Sequence, residues 1–239
     1  MLLEVPNEFS GWEHFKYYFK VYIVNKFKNN ADRWFVQSDF IKNKFHEEYD
    51  INKNKIELMP FYPSFKKDYK ESVIRKKNTY LYVSNAQPNK NHEKLINAFC
   101  LFYDRHHLGK LILTVSDAFP SVVNIISEKI LLGYPIENIG FVDRDTLCQT
   151  YLSSEFLIFP SLAESFGLGL IEAIECGCKI IGADLPYTYE VCEPSIVFNP
   201  LQKKSILIAL EQSISDTPVK ISIPKIRNNI KELINSLND

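Results

Sequence analysis

Short apolar runs alternate with amphipathic stretches along the chain from Thr79 onward. Such runs indicate buried strands when turn residues bound them, and apolar positions three and four residues apart indicate helices. Strands are predicted at Thr79–Ser84, Leu111–Ser116, Ile139–Val142, Phe156–Phe159, Lys179–Ala183 and Ile196–Phe198. Helices are predicted near 92–105, 119–131, 145–152, 166–176, 187–192 and 202–214. This alternation predicts an α/β fold with a doubly wound parallel sheet, which binds ligands beyond the carboxyl ends of its strands.

The first 63 residues follow a different pattern. They predict an aromatic-rich helix, a strand, a second helix and a second strand, at Trp12–Lys28, Arg33–Gln37, Asp39–Tyr49 and Ile56–Met59. Two strands and two helices are too few for an independent doubly wound domain. We therefore expect residues 1–63 to be the end of a larger domain, completed by more of the same polypeptide or by another chain. Residues 64–239 form the second predicted domain, and the polar segment Ser64–Asn78 is the predicted linker.

Composition narrows the classes of protein. Lys and Arg total 28 against 29 Asp and Glu, which argues against nucleic-acid binding driven by bulk charge. The five cysteines stand among apolar neighbours. Cys100, Cys148 and Cys176 are interpreted as small core residues, and the set indicates neither a disulfide framework nor a zinc site. The chain begins with no signal-peptide pattern and contains no apolar run of membrane-spanning length. We expect a cytoplasmic protein, in which the basic cluster Arg75–Lys77 is a solvated loop.

The segment after the predicted strand Phe156–Phe159 is the most informative part of the sequence. Pro160 ends the strand, Ser165 occupies the expected N-cap position of the next helix, and Gly167 and Gly169 permit close approach to the backbone. A strand, a tight turn and a helix N-terminus form an anion site, because free N–H groups and the helix dipole point to one spot.

Two glutamates bracket this predicted anion site. Glu164 lies in the turn and Glu172 about two turns into the helix, an arrangement suited to a nucleotide sugar. The alternative is a helix cap and a solvated helix face, and Glu175, one turn further on, fits that surface interpretation. A third candidate, Lys90, lies between a strand and a helix and is interpreted as a phosphate ligand, with a loop lysine as the alternative.

Two further motifs are interpreted structurally. Asp143-Arg-Asp145 has the spacing of a metal–nucleotide motif, but it lies in a strand-to-helix loop where Asp145 fits as an N-cap. His92 is expected to cap or orient the helix that it begins.

Taken in order, these segments resemble glycosyltransferase family 4, the group 1 transferases, which have the GT-B fold. The resemblance is carried by Ala31–Ser38, Tyr82–His92, Ile139–Val142 with Leu147, Glu164–Ala173, Ala183–Glu190 and Phe198–Pro200. It implies that residues 1–63 are the end of an acceptor domain and that residues 64–239 are a Rossmann-like, nucleotide-sugar donor domain.

The resemblance also implies roles for individual residues. Glu164 would contact hydroxyls of the donor sugar, Glu172 would accept hydrogen bonds from the ribose, and Lys90 would offset charge on the leaving diphosphate. Many family members have an arginine where Asn85 stands, so Asn85 would donate a single hydrogen bond to the diphosphate. Backbone N–H groups would hold the sugar or diphosphate oxygens at Ser165, Phe166, Gly167 and Leu168. The nucleotide base would lie beside Phe141 and Val142.

The implied function is a retaining glycosyltransferase with a nucleotide-diphosphate sugar as donor, a saccharide or lipid-linked acceptor, and no metal ion or other cofactor. Its implied setting is surface-polysaccharide or O-antigen assembly, with peripheral contact at the cytoplasmic face of the inner membrane. The alternative is a donor-binding subunit or inactive remnant that needs a separate acceptor-domain chain. A nucleotide-sugar epimerase of the same fold fits the motifs less well.

Overall fold

The chain divides into two units, which are described separately. The computed structural model describes residues 11–65 and 73–236, with the side chains of 11–14 excluded. One unit runs up to Tyr62 and resumes at Ile226, and the other is Pro63–Lys225. The sequence placed 226–239 in the second segment instead, and the assignment of the two segments as acceptor and donor domains stays a prediction.

The first unit contains a small parallel sheet and two helices from the start of the chain. Its elements are α1 (Gly11–Phe27), β1 (Trp34–Val36), α2 (Asp39–Tyr49) and β2 (Ile56–Leu58). The strands pair in parallel, and a buried core forms around Val36, Phe45, Tyr49, Ile51 and Ile56. Val21 and Val24 of α1 pack against this core, whereas other positions of α1 expose Phe15, Tyr18, Phe19 and Tyr22. The predicted elements of this region are confirmed, although the side chain of Trp12 lies outside the described residues.

The second unit alternates strands and helices almost throughout. Its elements are β3 (Lys76–Tyr82), α3 (His92–His106), β4 (Lys110–Leu113), α4 (Pro120–Leu131), β5 (Ile136–Asn138), α5 (Arg144–Ser153), β6 (Ser154–Phe159), α6 (Leu168–Glu175), β7 (Lys179–Ala183), α7 (Pro186–Val191), β8 (Cys192–Glu193), β9 (Ile196–Phe198), α8 (Lys203–Ser213) and β10 (Ile223–Pro224). Besides β5, which precedes the strand predicted at Ile139–Val142, the sequence missed β8 and β10, which pair antiparallel, and the helix α9 (Ile230–Ser236) of the first unit.

Six strands of the second unit form one parallel sheet in the order β5-β4-β3-β6-β7-β9. The strands that follow β3 extend to one side, and those that follow β6 extend to the other. The winding direction therefore reverses between β3 and β6, and the loops leaving those two strands border a crevice at the carboxyl edge. The predicted doubly wound α/β fold is confirmed.

The centre of this sheet is buried on both faces, as a parallel sheet requires. Tyr80 of β3 stacks on Phe156 of β6 with ring centroids 5.5 Å apart, and it meets the edge of Phe102 at 5.8 Å. The buried Tyr80 hydroxyl lies 2.6 Å from Ser213 Oγ on α8, so its polar atom is satisfied. These contacts fix the two strands that border the crevice.

The predicted strand Ile139–Val142 is wrong. Pairing with β4 ends at Asn138, whose side chain accepts a hydrogen bond from Val115 N and donates one to Val115 O, at 2.9 and 2.8 Å. Gly140 then adopts φ 67°, a left-handed conformation that turns the chain out of the sheet. Residues 139–142 therefore form a loop.

The predicted solvated loop Arg75–Lys77 is wrong for Arg75 and for the secondary structure, although Lys76 and Lys77 are exposed. Arg75 donates hydrogen bonds to the carbonyl oxygens of Ser154 and Cys176, the second at 2.6 Å. Lys76 begins β3, so the predicted linker Ser64–Asn78 ends earlier than expected; its residues 66–72 lie outside the described part of the chain.

The structure also bears on the predictions about the cysteines and about membrane-spanning segments. All five cysteines are buried and none forms a disulfide, which confirms the interpretation of Cys100, Cys148 and Cys176 as core residues. None of the described helices is both long and apolar enough to cross a lipid bilayer.

We expect Arg75→Met to lower the free energy of unfolding by about 1–3 kcal/mol, because two carbonyl oxygens lose a charged donor. Urea denaturation measures this change. Lys77→Met is the matched control, since Lys77 is exposed and belongs to the same basic cluster; it should change stability by less than about 0.5 kcal/mol. Equal effects of the two substitutions would contradict the anchoring role of Arg75.

Candidate functional site

Hydrogen bonds join the two loops that border the crevice. Leu162 N donates to the carbonyl of Asn89 at 2.7 Å, and Asn89 Nδ2 donates to the carbonyl of Ala163 at 3.1 Å. Ser161 Oγ donates to the same Asn89 carbonyl at 3.2 Å. Asn89 thus connects the loop after β3 to the loop after β6 through both its backbone carbonyl and its side-chain amide.

The neighbouring residue Asn91 extends this connection. Its φ of 60° is left-handed, a conformation that asparagine tolerates better than most residues. Its Nδ2 donates to the carbonyl oxygens of Pro160 and Pro200, at 3.2 and 2.8 Å. The Tyr82 hydroxyl donates to the carbonyl of Lys90 at 2.8 Å. The backbone on both sides of the Lys90 side chain is therefore fixed.

Lys90 and Glu164, both predicted as catalytic residues, form an ion pair in this crevice. Lys90 Nζ lies 2.6 Å from Glu164 Oε1, and the side chains are 17% and 13% exposed. The structure brings the two residues together, and their catalytic roles stay predictions. An anionic ligand would compete with Glu164 for the lysine.

The helix after the second loop begins later than expected. Its N-cap is Gly167, at φ 75°, and α6 starts at Leu168, so the predicted N-cap at Ser165 is wrong. A left-handed cap favours glycine, which explains the correction. Phe166 is buried, so a ligand at this turn would meet backbone N–H groups rather than the phenyl ring. The first N–H groups of a helix have no partner within it, which keeps the predicted anion-binding role open.

Glu172, predicted to bind ribose, is a buried carboxylate with two neighbouring donors. It is 6% exposed, and Tyr151 Oη donates to its Oε2 at 3.3 Å. Arg144 Nη1 lies 3.6 Å from its Oε1. Burial raises the pKa of Glu172 to about 7, against the opposing effects of Arg144 and Tyr151. The solvated-face alternative therefore does not describe this residue.

The Asp143-Arg-Asp145 motif caps a helix, as predicted, but through a different aspartate. Asp143, rather than Asp145, is the N-cap of α5, because its Oδ1 accepts a hydrogen bond from Thr146 N at 2.8 Å. That interaction lowers the pKa of Asp143. Sequence reasoning missed Arg144, which stands between the two aspartates and contacts Glu172.

The segment Pro63–Phe65, at the start of the second unit, contacts Arg144 and the helix that carries Glu172. The Arg144 guanidinium lies 4.0 Å from the centroid of the Phe65 ring, and its Nη2 donates to the Pro63 carbonyl at 2.8 Å. Glu175 Oε2 accepts hydrogen bonds from Ser64 Oγ and Phe65 N, both at 2.9 Å. Glu175 is partly buried, so its predicted surface position is wrong.

A cavity of about 260 Å³ opens beside the loop after β5. It is lined by Val83, Ser84, Asn85, Thr114, Ser116, Gly140, Phe141, Val142 and Leu147. Three residues that the sequence assigned to donor binding, Asn85, Phe141 and Val142, thus share one cavity. Phe141 is 89% exposed, and Asn85 Oδ1 accepts a hydrogen bond from Gln87 N at 3.4 Å.

His92 is buried next to the Lys90 loop without serving as a cap. The N-cap of α3 is Asn91, which corrects that part of the prediction. The His92 ring lies 4.7 Å from the Tyr82 ring, and neither of its nitrogens has a hydrogen-bond partner among the described residues. Burial, with Lys90 nearby, lowers the pKa of His92 to about 4. Its imidazole is therefore neutral at pH 7.

Within residues 11–65 and 73–236, no three His, Cys, Asp or Glu side chains are grouped as a metal site requires. That the protein needs no metal ion or other cofactor stays a prediction.

Comparisons with known proteins agree with this architecture. The family described as "Glycosyl transferases group 1" matches residues 64–232. A curated relative from Methanocaldococcus jannaschii, named an uncharacterized glycosyltransferase, is 26% identical over 172 residues. The O-antigen chain mannosyltransferase RfbU of Salmonella typhimurium is 25% identical over 183 residues. Anabaena HepE, solved with UDP and glucose, superposes with a TM-score of 0.70 at 17% identity, and this likeness concerns the fold alone.

The matches cover most of this chain but only part of the other proteins. They include 71% and 76% of this chain for the two curated relatives, and 42% and 50% of the relatives themselves. The superposition covers 90% of this chain and 60% of HepE. The chain thus spans half or less of the length of these two curated relatives.

The buried carboxylate leads to a prediction about stability and pH. A carboxyl with a folded-state pKa of about 7 and an ordinary value of 4.5 binds more protons in the folded than in the unfolded state between those pH values. Stability then falls as pH rises from about 4.5 to 7. We expect Glu172→Gln, which keeps the shape, to be more stable than wild type at pH 8, by about 3 kcal/mol at most. The difference should be small at pH 5.

Urea denaturation at the two pH values measures this difference. Glu211→Gln is an opposite-sign control, because hydrogen bonding to His106 lowers the pKa of Glu211, with Arg105 acting in the same direction. That substitution should reduce stability at pH 8. A Glu172→Gln variant less stable than wild type at pH 8 would contradict the burial argument.

Proposed function

Because the chain belongs to the group 1 glycosyl transferases, we propose that its second unit binds a nucleoside-diphosphate sugar and takes part in sugar transfer with retention of anomeric configuration. The observation that carries the proposal is the Lys90–Glu164 pair, held by bonded loops at the point where the sheet reverses its winding. Sheets of this type bind ligands at that point. The acceptor is a saccharide or a lipid-linked saccharide.

In this proposal each side chain acts on a different part of the donor. Glu172 accepts hydrogen bonds from the ribose hydroxyls, and Glu164 from hydroxyls of the sugar. Backbone N–H groups at the α6 N-terminus hold phosphate oxygens. Phe141 and Val142 border the base, in the cavity that also contains Asn85.

Lys90 acts on the charge that develops during transfer. The bond between the sugar C1 and the diphosphate oxygen breaks with its electron pair left on the diphosphate. The acceptor hydroxyl forms the new bond to C1, and its proton passes to the departing diphosphate. Lys90 stabilises that negative charge, and stabilisation that grows toward the transition state increases the rate. With the helix dipole, this lysine fills the role that a metal ion has in other transferases.

The O-antigen relative supports a setting in surface-polysaccharide assembly. We propose a location at the cytoplasmic side of the membrane. Peripheral membrane contact stays a prediction, which sedimentation with anionic phospholipid vesicles would test. The exposed aromatic side chains of α1 are where such contact would be expected.

A second candidate function is a donor-binding subunit that needs a separate acceptor-domain chain. Two features of the first unit favour it: its sheet has only two strands among the described residues, and α1 exposes several aromatic side chains, among them Phe15, Tyr18, Phe19 and Tyr22. Apolar residues on both faces of a helix are typical of a helix covered on both sides.

We expect one of UDP, GDP, ADP and dTDP to raise the melting temperature of the wild type, because a ligand that binds only the folded state stabilises it. At a hundredfold excess over Kd the gain is about 2.7 kcal/mol, or roughly 5–10 °C for a chain of this size. Glu172→Ala should abolish the shift, and Glu211→Ala, on α8, should keep it. A cooperatively folded wild type that responds to none of the four would contradict the proposal.

An assay of sugar transfer by the purified protein distinguishes the two candidate functions. Purified protein, shown by light scattering to be monomeric, is incubated with the sugar donors of the stabilising nucleotide and a panel of saccharide acceptors. Transfer by the monomer would exclude the subunit hypothesis, and NMR of the product would give its anomeric configuration. Nucleotide binding without transfer, followed by transfer once an acceptor-domain chain is added, is the result expected of a subunit.

A further inference from the structure

We infer that Arg144 is a positioning residue for the donor site: held by the segment Pro63–Phe65, it keeps the Glu172 carboxylate ready to accept hydrogen bonds from a nucleotide ribose. The inference rests on the proposed function, which assigns the ribose to Glu172. The inference assigns Arg144 to the donor site, where none of the sequence motifs had placed it. It also gives a role to the contact between Arg144 and the segment that begins the second unit.

Three contacts hold the Arg144 guanidinium in place. Nη1 lies 3.6 Å from Glu172 Oε1, Nη2 donates to the Pro63 carbonyl at 2.8 Å, and the Phe65 ring lies 4.0 Å from Cζ. A ring face attracts a guanidinium, and a planar guanidinium keeps the orientation that such stacking imposes. The contact with the carboxylate is therefore set by the backbone and ring of one short segment.

That segment is in turn fixed by the helix that carries Glu172. Glu175 Oε2 accepts the hydrogen bonds of Ser64 Oγ and Phe65 N. Glu175 lies three residues after Glu172, on the same side of α6. The contacts run from α6 to the segment, from the segment to Arg144, and from Arg144 back to α6. A closed set of this kind resists rotation of any one side chain.

The charge of Glu172 depends on few neighbours. Burial and Glu175 raise its pKa, to about 7, while Arg144 and Tyr151 lower it. Tyr151 stays a neutral donor, since burial holds its own pKa well above the ordinary value. Arg144 is the cation among these neighbours, so near neutral pH it favours the ionised carboxylate.

Ionisation matters for binding a ribose. Two ribose hydroxyls are both donors, and an ionised carboxylate offers acceptor positions on both oxygens. A protonated carboxyl presents a donor on one oxygen and loses the strength that charge gives to a hydrogen bond. Nucleotide affinity should therefore decrease as Glu172 becomes protonated.

The experiment compares Arg144→Gln with Arg105→Gln. Arg105 is also partly exposed and paired with a glutamate, but it lies in the last turn of α3, at the opposite edge of the sheet from the crevice. Thermal unfolding first confirms that both variants fold cooperatively. Carbon-13 NMR then follows the Glu172 carboxyl through a pH titration without ligand, with Glu172→Gln to assign the signal. Calorimetry measures the affinity for the stabilising nucleotide among UDP, GDP, ADP and dTDP at pH 6 and pH 9.

We expect Arg144→Gln to move the Glu172 titration midpoint up by about one pH unit, the lower end of the effect of a nearby opposite charge. Nucleotide affinity should then be about tenfold weaker than wild type at pH 6 and nearly unchanged at pH 9, since a one-unit shift changes the ionised fraction by that factor only below the midpoint. Phe65→Leu should give a smaller shift in the same direction, and Arg105→Gln none.

An unchanged midpoint in Arg144→Gln would overturn the inference. Equal losses of affinity at pH 6 and pH 9 would also overturn it, because they would indicate direct contact between Arg144 and the nucleotide. If wild type binds none of the four nucleotides, the proposed function fails and the donor-site role of Arg144 fails with it. A shifted midpoint in that case would still establish the Arg144–Glu172 coupling, so the two failures are distinguishable.

Discussion

The hydrogen bonds of Asn89 across the crevice are the constraint on which the site depends. Where a doubly wound sheet reverses direction, the two bordering loops lead to opposite sides and have no reason of their own to stay together. Asn89 binds the second loop through its carbonyl and through its amide. This brings Lys90 of one loop within 2.6 Å of Glu164 of the other. A crevice with both charges in place needs little reorganisation when an anionic ligand enters.

A second constraint is the cost of burying Glu172. A carboxylate removed from water destabilises a fold unless donors compensate it, and here Tyr151 and Arg144 do so incompletely, as the raised pKa shows. If stability alone determined the residue at this position, we would expect a side chain with an amide or an apolar group. A buried, partly compensated carboxylate in a crevice is instead typical of functional sites, where ligand hydroxyls supply the missing donors.

The sequence was sufficient for the sheet, because each central strand is a short apolar run with turn residues at its ends. It failed at Ile139–Val142 because the same apolar composition suits a loop that lines a cavity, and at Ser165 because capping by a left-handed Gly167 follows from backbone conformation rather than side-chain chemistry. The pairing of Lys90 with Glu164 could be anticipated from motifs on neighbouring strands. The contacts of Arg75 and Arg144 could not be anticipated, since their partners lie far away along the chain and no local sequence pattern encodes such contacts.

One end of α6 fixes the chain on both sides of residues 66–72. Before them, Ser64 and Phe65 bind Glu175, and after them Arg75 binds the Cys176 carbonyl. The chain thus departs from and returns to a single turn of helix. Because both anchors lie on α6, the helix sets the points at which the chain leaves and rejoins it. An affinity tag or fluorescent reporter inserted between the anchors would therefore begin and end at points held by one helix.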